Sequence, residues 1–285
     1  MTTVAFKRMV LGLPHSGADY IGIDTAAAMA EALGLDLLAA FVEDPSLLGL
    51  ASQPFARELR PLGAGWQPVD AARLSQEIQQ AAAAARLRFF DRVRTRNVSK
   101  QFQLTRGPAA DMIASLVQPT DIVVLFEPKH PAERITRQVT DLTEAAFTGA
   151  STVLVVPCHI ARRHGPIVAL AARPDDASVP AAVAVATAAK EHLIVLNASG
   201  QRLAAGGAAP ARNIHIEERM IRESSTDPSA VVAMLASIKE RMLVTSLAPF
   251  RHSDLQAIAS LRGIPVLVMD SKPVKATTIN PELDA

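Results

Sequence analysis

Short apolar runs bounded by Pro, Gly or charged residues alternate along the chain with longer segments whose apolar residues recur every three or four positions. The first pattern suits strands buried on both faces, and the second suits amphipathic helices. In the first half, Met9–Leu13, Leu35–Val42, Gln101–Thr105, Ile122–Phe126 and Thr152–Val156 read as strands. Ser16–Leu33, Asp70–Arg96, Pro108–Val117 and Glu133–Phe147 read as the helices between them. Within Asp70–Arg96, Leu74, Ile78, Ala81, Ala85, Phe89 and Val93 share one helical face. Pro108 suits a first helical turn, and Gly149 suits a stop.

The second half replays this order. Ile167–Ala171, His192–Leu196, Ile214–Ile221, Met242–Leu247 and Pro265–Met269 read as strands. Asp175–Lys190, Asp227–Ile238 and Ser253–Arg262 read as helices, the second with Asp227 as N-cap and Pro228 at the first helical position. The expected fold class is α/β, with two tandem open parallel-sheet repeats. Residues 1–160 form the first repeat, 165–270 a shortened second one, and 271–285 a polar tail. In such sheets ligands bind beyond the carboxyl ends of the strands, where strand order reverses. The copies differ in one large way. The first carries an apolar connection, Pro45–Val69, and then a long helix, where the second has only the Gly/Ala/Pro-rich Gln201–Asn213. One sheet face of the second repeat therefore needs covering, by the other repeat or by a second chain.

Composition narrows the function classes. Of 285 residues, 49% are hydrophobic and 20% charged, enough to bury a sizeable core. The formal net charge is +1, which calls for no nucleic-acid partner. Cys158 is the single cysteine, which excludes an intrachain disulfide. Met9–Leu13 is too short for a secretory leader core and the longest Ala/Val stretch, Ala181–Ala189, is too short for a membrane span, so the expected compartment is the cytoplasm.

Candidate chemistry is sparse. Lys129, His130, Arg134 and Arg137 follow the fourth strand, on the edge where a ligand belongs. Arg134 and Arg137 are one helical turn apart, and such cations offer charge-assisted bonds to a phosphate or carboxylate. Cations are otherwise unfavourable near a helix N-terminus, a cost that a bound anion would offset. His15 and Ser16 lie beyond the first strand, where Ser16 suits an N-cap better than a nucleophile because no Gly-x-Ser-x-Gly elbow exists. Cys158, His159 and His164 lack an accepted zinc spacing, so no metal is expected. The run Arg86, Arg88, Arg92, Arg94 and Arg96 reads as a solvated face near a helix C-terminus. The connection Pro45–Val69 holds Leu50, Phe55, Leu59 and the only tryptophan, Trp66. It is too apolar for disorder and reads as a satellite cluster, a lid over a pocket or a partner surface.

Several local signs carry a resemblance. An Ala-rich helix ends Ala-Leu-Gly-Leu-Asp-Leu at Ala32–Leu37, Gly107-Pro108-Ala109 opens a helix, Asp121 precedes an apolar fourth strand, and Val-Leu-Val-Val-Pro closes the repeat at Pro157. With the element order, these make the chain resemble the universal stress protein family. The resemblance implies a fold like that of the adenine nucleotide alpha hydrolases, and repeats paired through their last strands. Here that would join Thr152–Val156 to Pro265–Met269 as a pseudo-dimer within one chain. It also makes ATP the cofactor to consider. Nucleotide-binding members place an acidic residue after the first strand and a Gly-rich loop after the fourth. This chain has Pro14-His15-Ser16 and Glu127-Pro128-Lys129-His130-Pro131 instead, and Pro249-Phe250-Arg251-His252 in the second copy. The preferred expectation is a stress-associated regulatory protein that binds a small ligand or protein partner without conventional catalysis. The alternatives are nucleotide binding with slow hydrolysis and a ligand-free structural adaptor, with a homodimer open in each case.

Overall fold

The computed structural model describes residues 6–13, 20–43, 45–60, 65–128, 137–203, 214–221 and 227–270. The first half runs β1 (Arg8–Leu13), α1 (Tyr20–Leu33), β2 (Asp36–Glu43), α2 (Pro45–Ala51), β3 (Arg57–Arg60), β4 (Gly65–Pro68), α3 (Ala71–Arg92), β5 (Lys100–Arg106), α4 (Ala109–Leu116), β6 (Asp121–Phe126), α5 (Arg137–Gly149) and β7 (Thr152–Val156). The second half runs β8 (Ile167–Ala171), α6 (Ser178–Ala189), β9 (Leu193–Asn197), β10 (Ile216–Met220), α7 (Pro228–Met234), a 3₁₀ turn (Leu235–Ser237), β11 (Met242–Ser246), α8 (His252–Arg262) and β12 (Val266–Met269).

Ten strands form one sheet in the order β10-β9-β8-β11-β12-β7-β6-β1-β2-β5. Read outward from the middle, each half repeats the same order, with its first and fourth strands adjacent. All neighbours are parallel except the central pair. There β12 meets β7 antiparallel, with Val266 opposite Val155, Leu267 opposite Leu154, Val268 opposite Val153 and Met269 opposite Thr152. The expected pairing through the last strands is therefore present, and the chain is the α/β tandem-repeat pseudo-dimer read from its sequence.

Burial on both sides explains why the strands read as continuous apolar runs. Ile122, Val124 and Leu154 face one layer, while Val123, Leu125, Val153 and Val155 face the other. The first layer is α1, α3 and α6, and the second is α4, α5, α7 and α8. Gly22 lets α1 approach β6, since a Cβ there would stand 2.3 Å from the Phe126 ring. Helix ends follow their caps. Asp70 accepts from the N–H groups of Ala72 and Arg73, Asp227 accepts from Ser229 N–H, and Gly263 closes α8 at φ 61°.

Buried charge sits at the amino ends of the fourth strands. Asp121 accepts from Arg8 Nη2 at 2.6 Å and from Gln118 N–H at 2.9 Å. In the second half, Glu240 receives Arg262 through both oxygens, at 2.7 and 2.9 Å. The sheet edges are polar, with Glu217 and Arg219 paired at 2.7 Å on β10 and Lys100 and Arg106 at the ends of β5.

Two connections define the faces of the sheet. After β2 the described residues form regular elements. They form α2 and an antiparallel hairpin in which Leu59 lies opposite Trp66 and Arg57 opposite Pro68. Strands of four residues are too short for periodicity to reveal. Between β9 and β10 the described residues, 198–203 and 214–215, form no helix. On that face α1 of the first half packs against α6 of the second, and Leu203, Ile214 and Ile216 extend the core beyond them.

Leu154 and Leu267 are both fully buried and face one another across the central pair. Leu154→Ala and Leu267→Ala are each expected to cost about 2–5 kcal/mol in urea unfolding, within a single transition that involves both halves. Separate transitions for the two halves would show that the pairing does not couple them.

Candidate functional site

Strand order reverses between β1 and β6 in the first half, and between β8 and β11 in the second. At the first of these edges the carboxyl ends of β1, β2, β5 and β6 place Leu13, Glu43, Arg106 and Phe126 side by side. Glu43 is buried and accepts from Arg106 Nε at 2.9 Å, while Gly107 N–H donates to the Glu43 carbonyl at 3.1 Å. Gly107 has φ 145°, a conformation that favours glycine, and turns the chain into α4. His15, Ser16, Lys129, His130 and Arg134 lie outside the described residues. Arg137 begins α5, and its side chain is outside them too. Their flanks are fixed, by Leu13 on one side and by Pro128 and α5 on the other.

The second edge is filled by the chain's own carboxylate. Asp176 is buried beyond β8, with Oδ1 accepting from Ser178 N–H at 3.0 Å and from the Ser246 hydroxyl. Its Oδ2 accepts from Ala172 N–H at 3.0 Å. Ser246 ends β11, so this one side chain ties the two strands at which the order reverses. The first N–H of α6 is a natural seat for an anionic ligand, and Asp176 already occupies it. Asp176 thus holds the start of α6 and bridges to Ser246 at the end of β11.

A third feature arises only because the halves are joined. A cavity of about 690 Å³ opens between α5 and α8, over the ends of β6 and β7. Leu125, Phe126 and Val155 supply apolar wall, and Thr143, Glu144, His252 and Gln256 supply polar groups. Glu127 belongs to the same wall and is held from two directions. One oxygen accepts from the Ser260 hydroxyl and the other from Cys158 N–H at 3.1 Å. His252 stacks on Phe147 with ring centroids 4.2 Å apart and planes within 8°. Pro128 also lines the cavity. Glu127, His252 and Ser260 were not singled out as site residues in the sequence. They are brought together by the β7–β12 pairing, and no local motif signals it.

The hairpin carries exposed apolar side chains. Leu50, Phe55, Leu59 and Trp66 are 63%, 74%, 64% and 64% exposed. Arg73 of α3 anchors it by bridging Glu58 and Glu77, and its guanidinium pKa is raised chiefly by the hydrogen bond to Glu58. The arginine run is also not simply a solvated face. Arg92 pairs with Asp24 and Arg96 with Glu31 at 2.9 Å, tying the end of α3 to α1. Asn97 N–H and the Arg96 guanidinium hold the Glu31 carboxyl below its ordinary value. Among the described residues no group of His, Cys, Asp and Glu could hold a metal ion, and no helix is long and apolar enough to cross a membrane.

No protein-family model matches the chain, and no curated protein matches it. Solved structures do. A universal stress protein from Archaeoglobus fulgidus superposes with a TM-score of 0.62 at 13% identity, over 94% of this chain and 98% of that one. A functionally unknown protein from Pseudomonas aeruginosa superposes with a TM-score of 0.52 at 13% identity, over 94% of each chain. At these identities the likeness establishes the fold, which is that of universal stress proteins.

Asp176→Ala strands two backbone N–H groups and a hydroxyl in a buried setting. Its expected cost is on the order of 3 kcal/mol in denaturant unfolding, and Ser246→Ala costs less because it removes one partner of three. A near-neutral Asp176→Ala would show that water replaces the carboxylate and that the edge is open.

Proposed function

We propose that the protein is a universal-stress-type regulatory protein of the cytoplasm that acts by binding a small ligand, not by turnover, and that the ligand occupies the cavity between α5 and α8. The observation that carries this reading is the cavity itself. Its volume of about 690 Å³ falls within the range of small-molecule sites, and its walls are apolar with a few convergent polar groups. Glu127, fixed by Ser260 and Cys158, supplies a preorganised acceptor. In the sequence, Lys129, His130, Arg134 and Arg137 follow Pro128, and cations of this kind suit an anionic group on a ligand. ATP with slow hydrolysis is the alternative within the same edge of the fold. A ligand-free adaptor is the third.

A second reading has its own observation. Four large apolar side chains on and beside the hairpin are mostly exposed, and Leu59 and Trp66 are cross-strand partners. Such a patch suits a protein partner, including a second copy of the chain. In this reading the cavity receives the signal and the hairpin delivers it.

Native mass spectrometry of protein purified without added ligand tests the first reading. A retained small mass is expected, and it should be lost from Thr143→Trp and Gln256→Trp, which fill the cavity from opposite helices. Adding the identified compound at a hundred times its Kd should stabilise the fold by about 2.7 kcal/mol. A bare chain under these conditions favours the adaptor, and a retained nucleotide favours the alternative. Lys129→Ala with Arg134→Ala tests the anion seat, which is discarded if phosphate and nucleotide shifts in NMR spectra are the same as in the parent.

A further inference from the structure

A second cavity, of about 590 Å³, lies on the opposite face of the sheet, between α1 and α6 and beside residues 159–163. It adjoins the first hydrophobic layer, whereas the cavity between α5 and α8 adjoins the second. Its lining is apolar along the helices, where Ile21, Ala28 and Met29 of α1 face Val185, Ala188 and Met242 from the second half.

The charge on this lining is one-sided. Arg96, Arg162, Arg163 and Arg241 border it, with Asp24 as the carboxylate among the lining residues. Asp24 is already paired with Arg92. Two of the arginines are satisfied elsewhere, Arg96 by Glu31 at 2.9 Å and Arg241 more loosely by Glu191 at 3.5 Å. Arg162 has only a long contact with an acid, and no ion pair is found for Arg163 among the described residues. Glu240, the nearest acid to Arg162, gives both oxygens to Arg262 and stands 3.9 Å from the Arg162 guanidinium. Arg162 Nη1 is buried and makes no hydrogen bond. Arg163 is exposed and has no ion-pair partner among the described residues. A buried guanidinium N–H without an acceptor carries a desolvation cost that a ligand oxygen would remove.

We propose that this groove binds an amphipathic anion, a molecule with an unbranched aliphatic body and a carboxylate or phosphate head. The body lies against Met29 and Val185, where the small side chains of Ala28, Ala32 and Ala188 leave a channel between the helices. The head is taken by Arg162 and Arg163. A neutral amphiphile brings no anion to Arg162 Nη1, and a fully polar anion gains nothing from the apolar walls, so both halves of the molecule are required. The site is independent of the cavity between α5 and α8, and either can fail without the other.

Isothermal titration calorimetry on the full chain tests this with sodium dodecanoate, dodecyl phosphate and 1-decanol, each below its aggregation limit. At least one anion is expected to bind with one-to-one stoichiometry, the alcohol about tenfold or more weaker. Arg162→Gln and Arg163→Gln should each weaken the anion about tenfold, and added salt should weaken it further. Ala28→Phe should abolish binding. Ala188→Phe blocks the groove from the other helix and serves if the first variant does not fold, as judged by circular dichroism and Tm. Tighter dodecanoate identifies a fatty-acid head and tighter dodecyl phosphate a phosphomonoester head, and either supports the site. The proposal is overturned if neither anion binds, if the alcohol binds as tightly, or if a folded groove-filling variant binds like the parent.

Discussion

Antiparallel pairing of β7 with β12 is the constraint on which the rest of the molecule depends. Alone, each half would end in a flat strand of Val and Leu with its hydrogen-bonding edge open, an arrangement prone to association with other chains. Joined, the two edges disappear into one sheet, and both hydrophobic layers run across the junction. Leu154 and Leu267 contribute to one layer, and Val153, Val155, Val266 and Val268 to the other. The two cavities are products of the same junction, since each is walled by helices from different halves.

The halves share topology but have parted in their chemistry. In the first, the carboxyl edge keeps Glu43 and Arg106 as a pair that is half in solvent. In the second, Asp176 and Ser246 close the equivalent edge with a buried network. Their amino ends remain alike, Arg8 with Asp121 in one and Arg262 with Glu240 in the other. Ions at strand ends lie where the covering helices stop, and each acid there has a hydrogen-bonded cation, which limits the cost of taking it from water.

Much of this architecture is legible in the sequence, for a physical reason. Strands buried on both faces leave unbroken apolar runs, so Ile122–Phe126 or Thr152–Val156 can be found without any partner. Asp70, Asp227 and Gly149 mark helix ends because capping is local. The hairpin escapes such reading because Arg57–Arg60 and Gly65–Pro68 are short, and their pairing depends on a turn between them. Glu127 and Ser260 are 133 positions apart and meet only through the central pair, so no spacing announces them. Arg162 and Arg163 lie between the two repeats and belong to no motif. The setting of Arg162 beside Glu240 depends on Arg262, a residue in the last helix.

One consequence of the central pair concerns direction. Parallel strands within each half point their carboxyl ends the same way, and the antiparallel junction sets the two halves head to tail. The edge holding Glu43, with the hairpin that follows β2, therefore lies at one pole of the molecule, and the edge holding Asp176 lies at the other. The two poles are separated by the length of the strands. They are linked by the strands themselves, and a one-residue slip at the junction would turn Leu154 and Leu267 toward the wrong layer. The junction thus fixes the register and the opposed directions of the two halves together. The molecule carries two opposed carboxyl edges joined at a seam four residue pairs long.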